Sequence, residues 1–172
     1  MGAAATAEES ATVIEGLERF GIFQDLPPAE LQAIAKLCQI AKVKKGEQVF
    51  QAGDEATSLF LVRAGKIELR FKVSYYNAAV EIPLESKTEG ESFGWSAVTH
   101  PYRYTLAAYA VEDSELLQIK RTEIGSLCEA NRQLGYLFMK NITRIIGQRF
   151  HLLQEALAKE IQEGLKRKDP LA

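Results

Sequence analysis

Cysteine, histidine and methionine are scarce in this chain, with two of each among 172 residues, and there is a single tryptophan. Each scarcity excludes something. Cys38 and Cys128 lie far apart, each inside an apolar, helix-like stretch. They read as two buried thiols in a reducing compartment rather than as a disulfide. His100 and His151 have no Cys, His or carboxylate at ligand spacing, so no metal centre is expected. No apolar run is long enough to span a bilayer. The first ten residues, "MGAAATAEES", lack the basic flank and apolar stretch of a signal peptide. They read as a disordered tail on a cytoplasmic protein. Basic residues are not in excess: the net charge is -2, which excludes a surface built wholly for nucleic acid.

What the chain does have is 47% hydrophobic and 26% charged residues, enough for one globular domain with a real core and extra helix attached. Its periodicity changes twice. In "TVIEGLERFGIF", Thr12 and Glu15 stand at capping-box spacing, and Val13, Leu17 and Phe20 share a helical face. "LPPAELQAIAKLCQIA" predicts a second helix, with Pro28 in its first turn and Leu31, Ile34, Ala35 and Cys38 inward. From about Val43, short β-rich runs are punctuated by Gly46, Gly53 and Gly65. Ile67, Leu69 and Phe71 alternate with charged residues, and Gly65 with Lys66 predicts a hairpin between "LFLVR" and "IELRF". Pro83 in "VEIPLES" predicts an edge strand or a bulge. "YTLAAYAV" and "SELLQIK" supply two more strands. Strands at this density predict a jelly-roll β-barrel, mainly β with flanking α. After Lys120 the period is helical again. "RTEIGSLCEA" is a short helix, and a long one begins near Asn131 with the stripe Ile142, Ile146, Phe150, Leu153, Leu157, Ile161 and Leu165. The expected division is a tail over 1–10, a barrel with its N-terminal helices over 11–130, a long helix over 131–168 and a tail over 169–172.

The landmarks "FGIFQDLPPAELQAIAK", "KKGEQVFQAGDEATSLFLVRAGKIEL", "EGESFGWSAV" and "LLQIKR", in this order, resemble the cyclic-nucleotide-binding domain, the sensor half of the catabolite-activator-protein family. The resemblance runs from about Phe20 to Leu153. It implies that a ligand would sit in the cassette Phe93, Gly94, Trp95, Ser96, Ala97 and Val98, where a short helix offers free backbone N–H groups to a cyclic phosphate. It also implies a Glu directly after Phe-Gly for the ribose, and an Arg after a Pro for the phosphate. This sequence has Trp95 in the first place. Counting without a gap puts Tyr104, next to Thr105, in the second. Arg103 comes one residue early, on the opposite face of a strand, unless a loop insertion restores it. Loss of a charged partner to a buried phosphate costs about 2–5 kcal/mol, so cyclic AMP binding is expected to be weak or absent. Trp95, Tyr102 and Tyr104 would either fill the pocket or stack on a flat ligand.

In transcription factors of that family, a helix-turn-helix follows the long helix. Here only "KRKDPLA" follows Leu165, so no direct DNA binding is expected. "GWSAV" is a near miss to a nucleophile elbow, with Val98 where the second Gly is required. Three readings follow. One is a stand-alone sensor without a cofactor, taking a nucleotide or small anion and engaging a partner or a second copy through the long helix. Another is a scaffold whose pocket is closed by its own aromatics. The least favoured is a hydrolase using Ser96, against the expectation that the chain is no enzyme.

Overall fold

The computed structural model describes residues 16–76 and 78–168. The tail over 1–10, the capping box at Thr12 and Glu15, and residues 169–172 lie outside the described residues. A 3-10 turn at Gly21–Phe23 precedes helix α1, Pro28–Ala35. Strands follow: β1 Gln39–Val43, β2 Gln48–Phe50, β3 Ser58–Ala64, β4 Lys66–Tyr75, β5 Ala78–Thr88 and β6 Ser92–Phe93. A 3-10 turn, Trp95–Val98, leads on to β7, Ala107–Ala110, and β8, Ser114–Lys120. Helices α2, Arg121–Ala130, and α3, Arg132–Lys168, complete the order. The strands form two four-stranded antiparallel sheets, β1-β8-β3-β6 and β2-β7-β4-β5. This is the jelly roll predicted from the change of period.

Several local expectations hold. Leu31, Ile34 and Ala35 are buried on α1, with Pro28 at its start. Pro83 sits on an edge strand, opposite a register shift between Leu69 and Arg70. Two need correction. Helix α1 stops at Ala35, so Cys38 lies past its end, half-buried, with its thiol donating to Ile34 O at 3.5 Å. Burial pushes that thiol up to about 12, and both cysteines are free. Gly65 is also not a hairpin turn: β3 and β4 lie in different sheets. The chain crosses between them there because Gly65 has φ +87° and runs against the start of β8. A Cβ would fall 2.5 Å from Asp113 O and 2.7 Å from Ser114 Cα.

Two cores share one sheet. In β3, Phe60 and Val62 point into the barrel, while Leu59 and Leu61 point out to the helices. In β8, Leu116 faces the barrel and Leu117 and Ile119 face the helices. A strand buried on both faces reads as a continuous apolar run, which is why "SLFLV" does not alternate. The outer core takes Phe23, Ile34, Ile124, Leu134, Phe138 and Ile142, with the Phe23 and Phe138 rings stacked at 6.1 Å. Buried Asn141 of α3 donates to Ile22 O and Gln24 O at 3.3 and 2.7 Å, and Arg144 donates to Gly21 O at 2.9 Å. The first half of α3 is thus fastened to the domain. From His151 to Gln162 every residue is exposed, because at about 1.5 Å per residue the helix has passed beyond the sheets.

Gly65→Ala is expected to destabilise by about 3 kcal/mol, from backbone strain together with displacement of β8. Gly46→Ala, also at positive φ but with open space around it, should cost only about 1 kcal/mol. Urea melts of both variants check the difference; equal costs would contradict the close approach at Gly65.

Candidate functional site: a closed ligand cassette

Phe93 ends β6 fully buried, Gly94 takes φ +75°, and the turn Trp95–Val98 follows with Ser96 and Ala97 buried. Gly94 is tightly enclosed: a Cβ there would stand 3.1 Å from the Phe60 ring, 3.2 Å from Ser58 O and 3.4 Å from the Tyr104 ring. The turn is a single 3-10 turn, and the Ala97 N–H is spent on Gly94 O at 3.0 Å.

The recognising side chains are arranged differently from those of an anion site. Arg103 is exposed, outside the cassette, and donates from Nη1 to Gly53 O at 2.8 Å. It pairs as an isolated bridge with Glu55. The strand is shorter than expected from the sequence, since β7 begins only at Ala107, so Arg103 and Tyr104 lie in the preceding loop, and it is that loop which turns Arg103 outward. Tyr104 is inside, 5% exposed. Its hydroxyl donates to Ser58 O at 2.7 Å and accepts from Ser58 N–H at 3.2 Å. Its backbone is fixed as well, with Tyr104 N–H on Asp54 O and Gly53 N–H on Tyr104 O. The ring lies on Phe50 with centroids 3.6 Å apart and planes 10° apart. Phe50 in turn meets Phe60 at 5.8 Å and Phe93 at 5.9 Å.

What remains beside the cassette is a cavity of about 20 Å³, lined by residues that include Gly94, Ser96, Tyr104 and Thr105. That is room for roughly one water. Burial raises the Tyr104 phenol above its ordinary value, against the opposing effect of its bonds to the Ser58 backbone.

The other aromatics do not join this plug. Trp95 packs toward the helical core, with the Arg149 guanidinium 5.7 Å from its ring centroid. Tyr102 is exposed at φ +58°, under the Arg121 guanidinium at 4.9 Å. Ser96 has no hydrogen-bonded His, Asp or Glu among the described residues. No group of three or more metal-ligating side chains is found among the described residues, and none of their helices is long and apolar enough to cross a membrane. Sequence reasoning missed Phe50 and Ser58 as partners of Tyr104, since neither belongs to the cassette segment. It also missed Arg149, a cation on a partly apolar helix face whose only signal was its place beside Ile146 and Phe150.

Residues 40–131 match the model of the cyclic nucleotide-binding domain family. The chain is 30% identical over 102 residues to the cyclic AMP receptor protein of Thermus thermophilus, covering 59% of this chain and 46% of that protein. It therefore spans about half the length of that relative. Among solved structures, a putative cyclic nucleotide-binding protein from Geobacter metallireducens is 27% identical with a TM-score of 0.67, over 80% of this chain and 97% of that one. The catabolite activator protein of Thermus thermophilus is 27% identical with a TM-score of 0.68, over 80% and 62%. The sensor domain of the regulator DNR from Pseudomonas aeruginosa, 20% identical with a TM-score of 0.68 over 84% and 95%, shares the fold.

Tyr104→Phe should destabilise the protein by about 1–3 kcal/mol at pH 7, because the Ser58 backbone loses its buried partner. The folded phenol has a raised pKa, so its contribution is complete below the unfolded value of about 10 and is lost as pH rises through the folded value. The gap between wild type and variant should therefore narrow above about pH 10. Urea melts at pH 7 and at about pH 10.5 test this; a widening gap would contradict the buried phenol.

Proposed function

The chain belongs to the cyclic nucleotide-binding domain family, and from that premise we propose a regulatory module that does not take cyclic AMP in its cassette and signals through its long C-terminal helix. The observation that carries this reading is Tyr104. It stands where the family's phosphate-binding Arg is expected, stacked on Phe50 and bonded to Ser58. A cyclic nucleotide would have to expel a ring held by two hydrogen bonds, while Arg103 is turned outward onto Gly53 and Arg149, the cation lining the remaining cavity, is already paired with Glu85. The free thiols of Cys38 and Cys128 support a reducing, cytoplasmic setting. The same plug supports a second reading, an interaction module with no small-molecule input. A saturable ligand outside the cassette would separate the two.

The output is the far half of α3. Leu157, Ile161 and Leu165 are each more than half exposed, and an apolar stripe left in water usually marks an interface. A second copy is the simplest partner, because two-fold dimers are the commonest oligomers. Of the stripe read from the sequence, Ile142 is buried inside its own chain and Ile146 packs on the same core. Neither is available to that interface, which therefore starts further along the helix.

Cyclic AMP at 1 mM, a concentration far above about 1 μM, should leave the wild-type melting temperature unchanged; tight binding by calorimetry would sink the closed-cassette reading. The double variant Trp95→Glu/Tyr104→Arg, if folded, should acquire a measurable shift by mass action. For the helix, sedimentation should show a dimer, and Leu157→Glu with Ile161→Glu a folded monomer. A wild type that remains monomeric at high micromolar concentration would remove the second copy as the partner.

A further inference from the structure

Helix α3 is fastened to the rest of the chain at two levels, with a glycine between them. The lower fastening is Asn141 and Arg144 on the carbonyls of Ile22, Gln24 and Gly21. The upper one is Arg149, whose Nη2 lies 2.8 Å from Glu85 Oε2 on the edge strand β5. Gly147 stands between them with open space around it, and apart from proline, glycine is the poorest helix former. Between Gln148 and Gln162, Arg149 supplies the one polar tie to the sheets among the described residues. Phe150 and Leu153 are about half exposed, so apolar packing holds this stretch weakly.

The Glu85 carboxylate is shared. Lys87 also pairs with it and reaches Glu91 at 3.4 Å. Glu91 in turn accepts from the Thr88 N–H and hydroxyl at 2.9 and 3.0 Å, one residue before β6 leads into the cassette. A row of two cations and two anions thus runs from the entry of the cassette through β5 to α3. Its far end returns to the cassette, since the Arg149 guanidinium stands 5.7 Å from the Trp95 ring centroid. The Lys87 and Arg149 side chains are only 14% and 18% exposed, so salt screens them less than a surface pair. Partly buried ion pairs add little net stability, because desolvation offsets their attraction; their best-attested use is to fix register or act as a switch.

Resting on the reading of α3 as the output, we propose that the Arg149–Glu85 pair is a strap. It holds α3 beyond Gly147 in one direction over the cassette turn and so presents Leu157, Ile161 and Leu165 to a second copy. With the strap open, the helix pivots at Gly147 while Asn141 and Arg144 keep its first half in place. By linkage, whatever the closed strap contributes to pairing, pairing returns to the closed strap.

Spin labels on Lys72→Cys and Lys159→Cys, both exposed positions, read the direction of the helix. They are placed in a Cys38→Ala/Cys128→Ala background carrying Leu157→Glu/Ile161→Glu, so that distances are measured within one chain. The parent should give one narrow distance. Arg149→Met should broaden it, Arg149→Lys should keep it narrow, and the charge swap Glu85→Arg/Arg149→Glu should restore it. Glu85→Met/Arg149→Met should leave the urea midpoint at or above that of the parent while the distances stay broad, a split that a merely structural role does not produce. With the Leu157 and Ile161 side chains intact, Arg149→Met should raise the dimer dissociation constant in sedimentation about tenfold. Unchanged distances in Arg149→Met, narrow distances in Glu85→Met/Arg149→Met, no rescue by either Arg149→Lys or the swap, or a dimer that pairs as tightly without the strap overturns the proposal. A wild type that stays monomeric removes the second copy as the partner, and the distances within the single chain then decide the strap by themselves.

Discussion

The contact on which the rest of the site depends is Tyr104 against Ser58. One phenolic oxygen donates to Ser58 O and accepts from Ser58 N–H, so a single side chain satisfies both backbone groups at the first residue of β3. Buried backbone groups must be paired, and here the partner arrives from the loop beyond the cassette. The ring then lies on Phe50, itself in contact with Phe60 and Phe93, and aromatic pairs of this kind add about 0.5–1.5 kcal/mol beyond their area. Tyr104, Phe60 and Phe93 thus belong to one buried cluster, with Phe50 packed against it.

The consequences spread through β3 and β8, which face two cores. Their inner side chains meet the aromatic plug, and their outer side chains, Leu59, Leu61, Leu117 and Ile119, hold the helices. Because interiors are close-packed and transmit strain, the barrel filling and the seat of α3 are mechanically connected through the same two strands. Asn141 and Arg144 add directional bonds from α3 to the 3-10 turn at Gly21–Phe23. Only beyond Phe150 is the helix free of its own domain, and there its apolar residues are left for something else.

Much of this was legible in the residues. The two changes of period located the barrel, Pro83 marked an edge strand, and the apolar stripe of α3 was visible at its helical spacing. Counting from Trp95 and from "ELLQI" was enough to put Tyr104, and not Arg103, beside the cassette, although both residues lie in the loop before β7 and not on the strand that was expected there. Less local matters were not legible. The Gly65 crossing looks like a hairpin in sequence because its two flanking strands are consecutive. Whether consecutive strands pair or part company is settled by contacts with β8, nearly fifty residues away.

By itself, then, the sequence determined which residues form strands and helices, which face each presents, and that the cassette lacks its usual charged pair. These follow from nearest-neighbour geometry and from the chemistry of single side chains. Tertiary structure decided what replaced the missing pair. Phe50, Ser58 and Tyr104 come from separate strands and loops. No spacing rule brings them together, because their proximity is a property of how two sheets and a helix close on one another.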